Sequence, residues 1–145
     1  MPQAKIPIED NLFEALLGLG KLLGMNRSIA SVFAVLYSHD APCTIDEIAT
    51  LGNLSKSAVS LALRDLTYMG IVQELGILGE RCRHYCGQPH LAETVIDLIV
   101  ARLSPAVLEV QARLDQVTEA SPRRNQMQEL VQAIDSALAH MQNRT

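Results

Sequence analysis

Lys56, Ser57, Ser60 and Arg64 fall at offsets of one, four and eight residues, a spacing that puts all four on one side of a helix. Together they offer the donors that read double-stranded DNA. The Arg64 guanidinium can bond a guanine edge in bidentate fashion, worth ~1–3 kcal/mol of discrimination. Ser57 and Ser60 can bond a phosphate or a base edge, Leu61 can meet a thymine methyl, and Lys56 at the helix start suits a phosphate. A second cationic group follows in Gly79-Glu80-Arg81-Cys82-Arg83. Arg81 and Arg83, two apart, would share one face of an extended strand and lie against the DNA backbone or minor groove, with Glu80 orienting an arginine. The bland alternative is a solvated helix face and a surface hairpin.

The elements that must hold these groups are legible. Thr44 and Glu47 have the capping-box spacing, so a short helix starts after Thr44. A turn at Leu51-Gly52-Asn53-Leu54 follows, and Ser55 caps a second helix from Lys56 to about Tyr68. Val59, Ala62, Leu63, Leu66 and Met69 give that helix its buried stripe. Two short helices joined by a glycine-containing turn make a helix-turn-helix. Ile71–Leu75 reads as a strand, Gly76–Arg81 as a turn and Cys82–Gly87 as a returning strand, which completes a winged helix. Cys43, just before Thr44, belongs to a short extended piece that would pair with the returning strand.

Upstream, Glu9–Leu23 reads as a helix with Leu12, Leu16, Leu19 and Leu23 on one face. Gly24-Met25-Asn26 breaks it, and Arg27–His39 forms the next helix with Ile29, Val32, Phe33, Leu36 and Tyr37 inward. Asp40-Ala41-Pro42 ends that helix. Downstream, helix is expected from Leu91 to Leu103, restarting at Ser104-Pro105 and running to about Glu119. After a break at Ser121-Pro122 a last helix follows. Leu103, Val107, Val110, Leu114 and Val117, then Met127, Val131, Ile134, Leu138 and Met141, step by four and three like heptad seams. They could pack on each other in a hairpin; the reading adopted is a dimer interface. The fold class is therefore mainly α with a small β-wing. Residues 1–88 would form the winged helix-turn-helix with its N-terminal helix, and residues 89–145 the C-terminal dimerisation helices.

The net charge of −4 is unusual for a DNA binder until it is located. Residues 53–86 hold Lys56, Arg64, Arg81 and Arg83 against Asp65, Glu74 and Glu80, a surplus of one positive charge. The other eight bases and thirteen acids carry the acidity. Weak background binding to DNA is expected rather than none. No apolar run approaches the ~18–20 residues needed to cross a bilayer, and Met1–Asp10 lacks a secretory apolar region, so a cytoplasmic protein without a membrane partner is expected. No phosphate loop, nucleophile–base pair or metal triad suggests an enzyme, and no cofactor motif is present.

Residues 24–87 resemble a MarR-type winged-helix transcriptional regulator, and within that group the GbsR-like branch. The resemblance rests on Gly24–Ser28, Leu54–Leu66, Gly70–Val72 and Gly79–Arg81, and covers roughly half the chain. It implies a homodimer on a two-fold-related operator, acting as a repressor released by a signal such as a small-molecule effector. The branch senses choline or glycine betaine, which an aromatic cage would recognise. Here the chain departs from it: there is no tryptophan, and the aromatics are Phe13, Phe33, Tyr37, Tyr68 and Tyr85.

Three cysteines do not suggest a disulfide framework. Cys82 and Cys86, four apart on one strand, would be about 13 Å apart, too far for a disulfide. Cys43 could lie beside one of them, with His84 or His90 nearby, as a thiol switch or thiolate metal site. The alternative is a set of small apolar residues. The resulting reading is a homodimeric, sequence-specific DNA-binding regulator. Its rivals are a winged-helix protein-interaction module and a thiol- or metal-responsive sensor using Cys43, Cys82 and Cys86.

Overall fold

A computed structural model describes residues 10–144. The expectations for Met1–Glu9, including the helix start at Glu9, lie outside the described residues. The element order is α1 (Asp10–Leu22), α2 (Arg27–Tyr37), α3 (Ile45–Gly52), α4 (Lys56–Tyr68), β1 (Val72–Leu75), β2 (His84–Gly87), α5 (Leu91–Asp115) and α6 (Pro122–Gln142). The chain divides into two compact units, one through Leu91 and one from Ala92.

The first unit is built around α2. Asn26 caps it by accepting the Ile29 N–H, and Ala30, Val32, Phe33, Ala34, Val35 and Leu36 are buried. A helix apolar on nearly every side belongs at the centre of a core. α1 meets α2 through Gly20, where an added Cβ would lie 3.0 Å from that of Ala30. This contact turns α1 part-way from the expected leucine face: Leu12 and Leu19 are exposed, Leu16 and Leu23 are half-buried, and the buried position is Gly20. A glycine lets the two backbones approach, which a leucine stripe would prevent.

α3 and α4 follow the capping signals. Thr44 Oγ1 accepts the Glu47 N–H at 3.2 Å, and Glu47 Oε1 accepts the Thr44 N–H at 3.1 Å. Helix α3 extends through Gly52, and Asn53 ends it in the left-handed region at φ 52°. The Leu54 N–H bonds back to the Ala49 carbonyl at 2.9 Å. Ser55 Oγ then accepts the Ala58 N–H and starts α4. Val59, Ala62, Leu63 and Leu66 are buried, and Ile48 of α3 is fully buried with them. Large side chains such as Phe33, Ile48 and Leu66 each contribute roughly 1.5–3 kcal/mol by leaving water.

The wing pairs antiparallel, with Val72 opposite Gly87, Gln73 opposite Cys86, Glu74 opposite Tyr85 and Leu75 opposite His84. Cys43 adds the expected bridge to Tyr85 through two backbone hydrogen bonds of 2.8 Å. Strand β2 starts at His84, not Cys82. With Leu75 and His84 the last pair, residues 76–83 lie beyond the ladder. At the base of the wing, Tyr37 Oη donates to the Ile71 carbonyl at 2.5 Å and accepts the Gln88 N–H at 3.1 Å. Position 87 must be glycine, since a Cβ there would lie 2.7 Å from the Tyr37 ring.

In the second unit α5 runs unbroken for 25 residues with Pro105 inside it, so the expected restart at Ser104-Pro105 does not occur. Proline forgoes one backbone hydrogen bond, a cost of ~3 kcal/mol that the other turns of a long helix can carry. α5 also stops at Asp115, short of Glu119: the N–H groups of Gln116 and Val117 bond back to the Arg113 and Leu114 carbonyls and close the last turn. Ser121 caps α6 by accepting the Arg124 N–H, with Pro122 in the first turn. Gln111 and Gln128 exchange amide hydrogen bonds of 3.1 and 2.8 Å between α5 and α6. Val131 and Leu138 are buried, but Leu103, Leu108, Val110, Val117, Met127, Leu130 and Ile134 remain exposed. No described helix is long and apolar enough to cross a membrane.

Candidate nucleic-acid interface

The buried stripe of α4 fixes what its other side presents. Lys56, Ser57, Ser60, Leu61 and Arg64 are all exposed, on a helix whose rotation is set by Val59, Ala62, Leu63 and Leu66. Between α4 and the wing lies a concavity of about 260 Å³ lined by Ser60, Leu63, Arg64, Thr67, Glu74, Arg83 and Tyr85. Ser60, Arg64 and Arg83, singled out from sequence, therefore share one surface. Thr67 and Glu74 were not anticipated. Thr67 continues the Ser60–Arg64 stripe by one more helical step, a signal present in the spacing.

The cations divide into held and unheld. Lys56 Nζ lies 3.0 Å from Asp46 Oδ1 of α3, both exposed. Arg83 lies 3.0 Å from Glu74 Oε1 across the hairpin. Arg64 and Arg81 have no acidic partner among the described residues. Exposed pairs such as Lys56–Asp46 contribute ~0–1 kcal/mol, so a phosphate could replace the carboxylate at little cost.

Two expectations for the wing require correction. Glu80 does not orient an arginine: its carboxylate lies 3.1 Å from His84 Nε2, and Glu74 holds Arg83 instead. Nor do Arg81 and Arg83 share a strand face, because both precede β2 and Arg81 sits in a bend. The tip curls back on His84, whose Nδ1 is 3.1 Å from the Cys82 carbonyl, so the alternation of a strand does not apply there.

The cysteines are free and differently placed. Cys43 is buried, Cys82 exposed and Cys86 half-buried. Cys43 lies opposite Tyr85 in the bridge, so Cys86, one residue along, points to the other face rather than beside it. Among the described residues no three His, Cys, Asp or Glu side chains are grouped to hold a metal. His90 is exposed, its N–H bonded to Gln88 Oε1. Phe33 and Tyr37 pack against each other with ring centroids 5.0 Å apart and planes tilted by 41°. Burial pushes the Tyr37 phenol above its ordinary range, partly opposed by the hydrogen bond from Gln88.

Neither a protein-family model nor a curated protein sequence matches the chain. Solved structures do. A protein described as a transcriptional regulator is 19% identical with a TM-score of 0.62, over 90% of this chain and 92% of that one. A MarR-family transcriptional regulator from Silicibacter pomeroyi is 19% identical with a TM-score of 0.46, over 92% and 84%. A mutant of S. aureus MepR bound to an oligodeoxyribonucleotide is 17% identical with a TM-score of 0.47, over 89% and 91%. What the first of these shares with the chain is its fold, a mainly helical winged helix-turn-helix with a small two-stranded wing.

Proposed function

We propose that this chain is a sequence-specific DNA-binding transcriptional regulator, acting as a homodimeric repressor on a two-fold-related operator. One observation carries the reading: the exposed face of α4 and the wing's Arg83 border a single concave surface, with Arg64 unpaired among the described residues. In this reading α4 enters the major groove with its N-terminal turns nearest the bases. Arg64 reads a guanine, Ser57, Ser60 and Leu61 contact base edges or phosphates, and Lys56 leaves Asp46 for a phosphate. Arg81 and Arg83 of the wing follow the adjoining backbone. The sequence resemblance to MarR-type regulators, and to their GbsR-like branch, points the same way.

The dimer is supported by the apolar side chains that α5 and α6 leave exposed. Joined through them, two copies would set half-sites about one duplex turn apart, ~34–36 Å. A signal would act by shifting the population between dimers whose recognition helices have the right and the wrong separation. No effector is assigned.

Selection of bound sequences from random duplex DNA, with reduced and with mildly oxidised protein, tests this. A two-fold-related site is expected from the reduced protein. Arg64→Ala should weaken binding to it by ~1–3 kcal/mol and relax the preference at one base pair, read by titration at fixed salt. A site recovered only from reduced protein would bring in the cysteines. No enriched site from either sample would overturn the reading in favour of a protein-interaction module.

A further inference from the structure

The wing ends in an apolar turn that this reading leaves unused. The Ile77 carbonyl accepts the Glu80 N–H at 3.0 Å, so residues 77–80 form a β-turn with Leu78 and Gly79 at its corners. Gly79 has φ 86°, the conformation that the second corner of a type II turn requires. Exposed corners usually carry Pro, Asn, Asp, Ser or Gly. Here the first corner is leucine, 102% exposed, with Ile77 39% exposed beside it. Isolated surface apolar residues are ordinary. An adjacent pair at the apex of a hydrogen-bonded turn is not an isolated case.

The turn is also braced. Glu80 is paired with the buried His84, the His84 ring reaches the Cys82 carbonyl, and Arg83 is tied across the hairpin to Glu74. A side chain on such a turn can be pushed into a partner without first ordering a loop.

We propose that Leu78, backed by Ile77, is a wedge that enters between base pairs from the minor groove and kinks the duplex; the proposal rests on the DNA-binding reading above. Leucine and isoleucine wedges unstack a base step and bend DNA by ~20–90°, which wraps more duplex onto the protein. DNA is favoured over a protein partner on two grounds. Two side chains offer far less than the ~1,200 Å² of total area that a stable protein interface buries. Arg81, three residues on and without an acidic partner among the described residues, supplies charge for the flanking phosphates. The wedge would also select sequence without a base hydrogen bond, because TA and CA steps unstack most readily.

The test uses the full chain and the duplex recovered by selection, end-labelled for energy transfer. Wild type should shorten the end-to-end distance. Leu78→Ser should bind about tenfold or more weaker, as expected for one leucine no longer buried, and leave the duplex straight. Leu78→Met should still bend it. Leu78 is fully exposed, so Leu78→Ser should melt with the wild type. A straight wild-type complex, or equal bending by Leu78→Ser, overturns the wedge and leaves DNA binding intact. Loss of self-association in Leu78→Ser with unchanged bending would assign the tip to a protein contact and also overturns it. Failure to bind any duplex overturns both readings.

Discussion

The two units of the chain differ in how much of a core they build. In the first, α2 buries nearly its whole surface, α3, α4 and β1 add Ile48, Leu66 and Val72 to the same core, and Ile71 joins them just before β1. In the second, α5 and α6 bury Val100, Val131 and Leu138, yet Leu103, Leu108, Val110, Leu130 and Ile134 are exposed. Leu103 and Val110, seven apart on α5, and Leu130 and Ile134, four apart on α6, each share one side of their helix. The lesson is that the first unit closes a core within itself, while the second buries only a few side chains, and the proposed dimer would cover more of them.

Core truncations press hardest on that contrast. Phe33→Ala should cost ~3–5 kcal/mol by urea unfolding, whereas Ile134→Ala, at 37% exposure, should cost far less at concentrations too low for association. Equal costs would erase the contrast. Next in size is self-association: Val110→Asp with Ile134→Asp should convert a sedimenting dimer to monomer with unchanged helix content, because a buried unpaired carboxylate is strongly unfavourable. A smaller effect concerns the first unit alone. Thr44→Ala removes the acceptor for the Glu47 N–H and should cost ~1 kcal/mol. The smallest is a pH effect. Burial raises the Tyr37 phenol above its unfolded value of ~10. The folded state then keeps its proton where the unfolded state loses it, so this contribution is intact below pH ~10 and fades as pH rises through the folded value. Tyr37→Phe should remove that slope from the alkaline limb of a stability–pH profile.

How much of this was legible depended on whether a short-range rule decided the outcome. The starts of α3 and α4 could be read because Thr44 and Ser55 act locally; that the Cys43 segment pairs with the returning strand followed from the winged-helix pattern, but its register opposite Tyr85 did not. The face of α1 could not, since close approach at Gly20 settles it and leucine spacing does not register a backbone contact. Ser104-Pro105 carries a valid start signal that lost to helix on both sides. Within the site, Ser60, Arg64 and Arg83 were found by type and spacing. The exchange of Glu80 for Glu74 as the arginine's partner was hidden, because it depends on where the strand ladder stops.

The Tyr37 hydroxyl has one more consequence. A single oxygen touches the backbone where the hairpin begins, at Ile71, and where it finishes, at Gln88. The wing is thereby pinned as a closed ring, and its far end can lengthen or shorten while the pinned end stays where it is. Doubling a loop costs only ~0.6 kcal/mol, so residues 76–83 form a segment whose reach can drift over generations at almost no penalty to the core. On the proposed reading, the reach of the wing tip along a duplex would then evolve separately from α4.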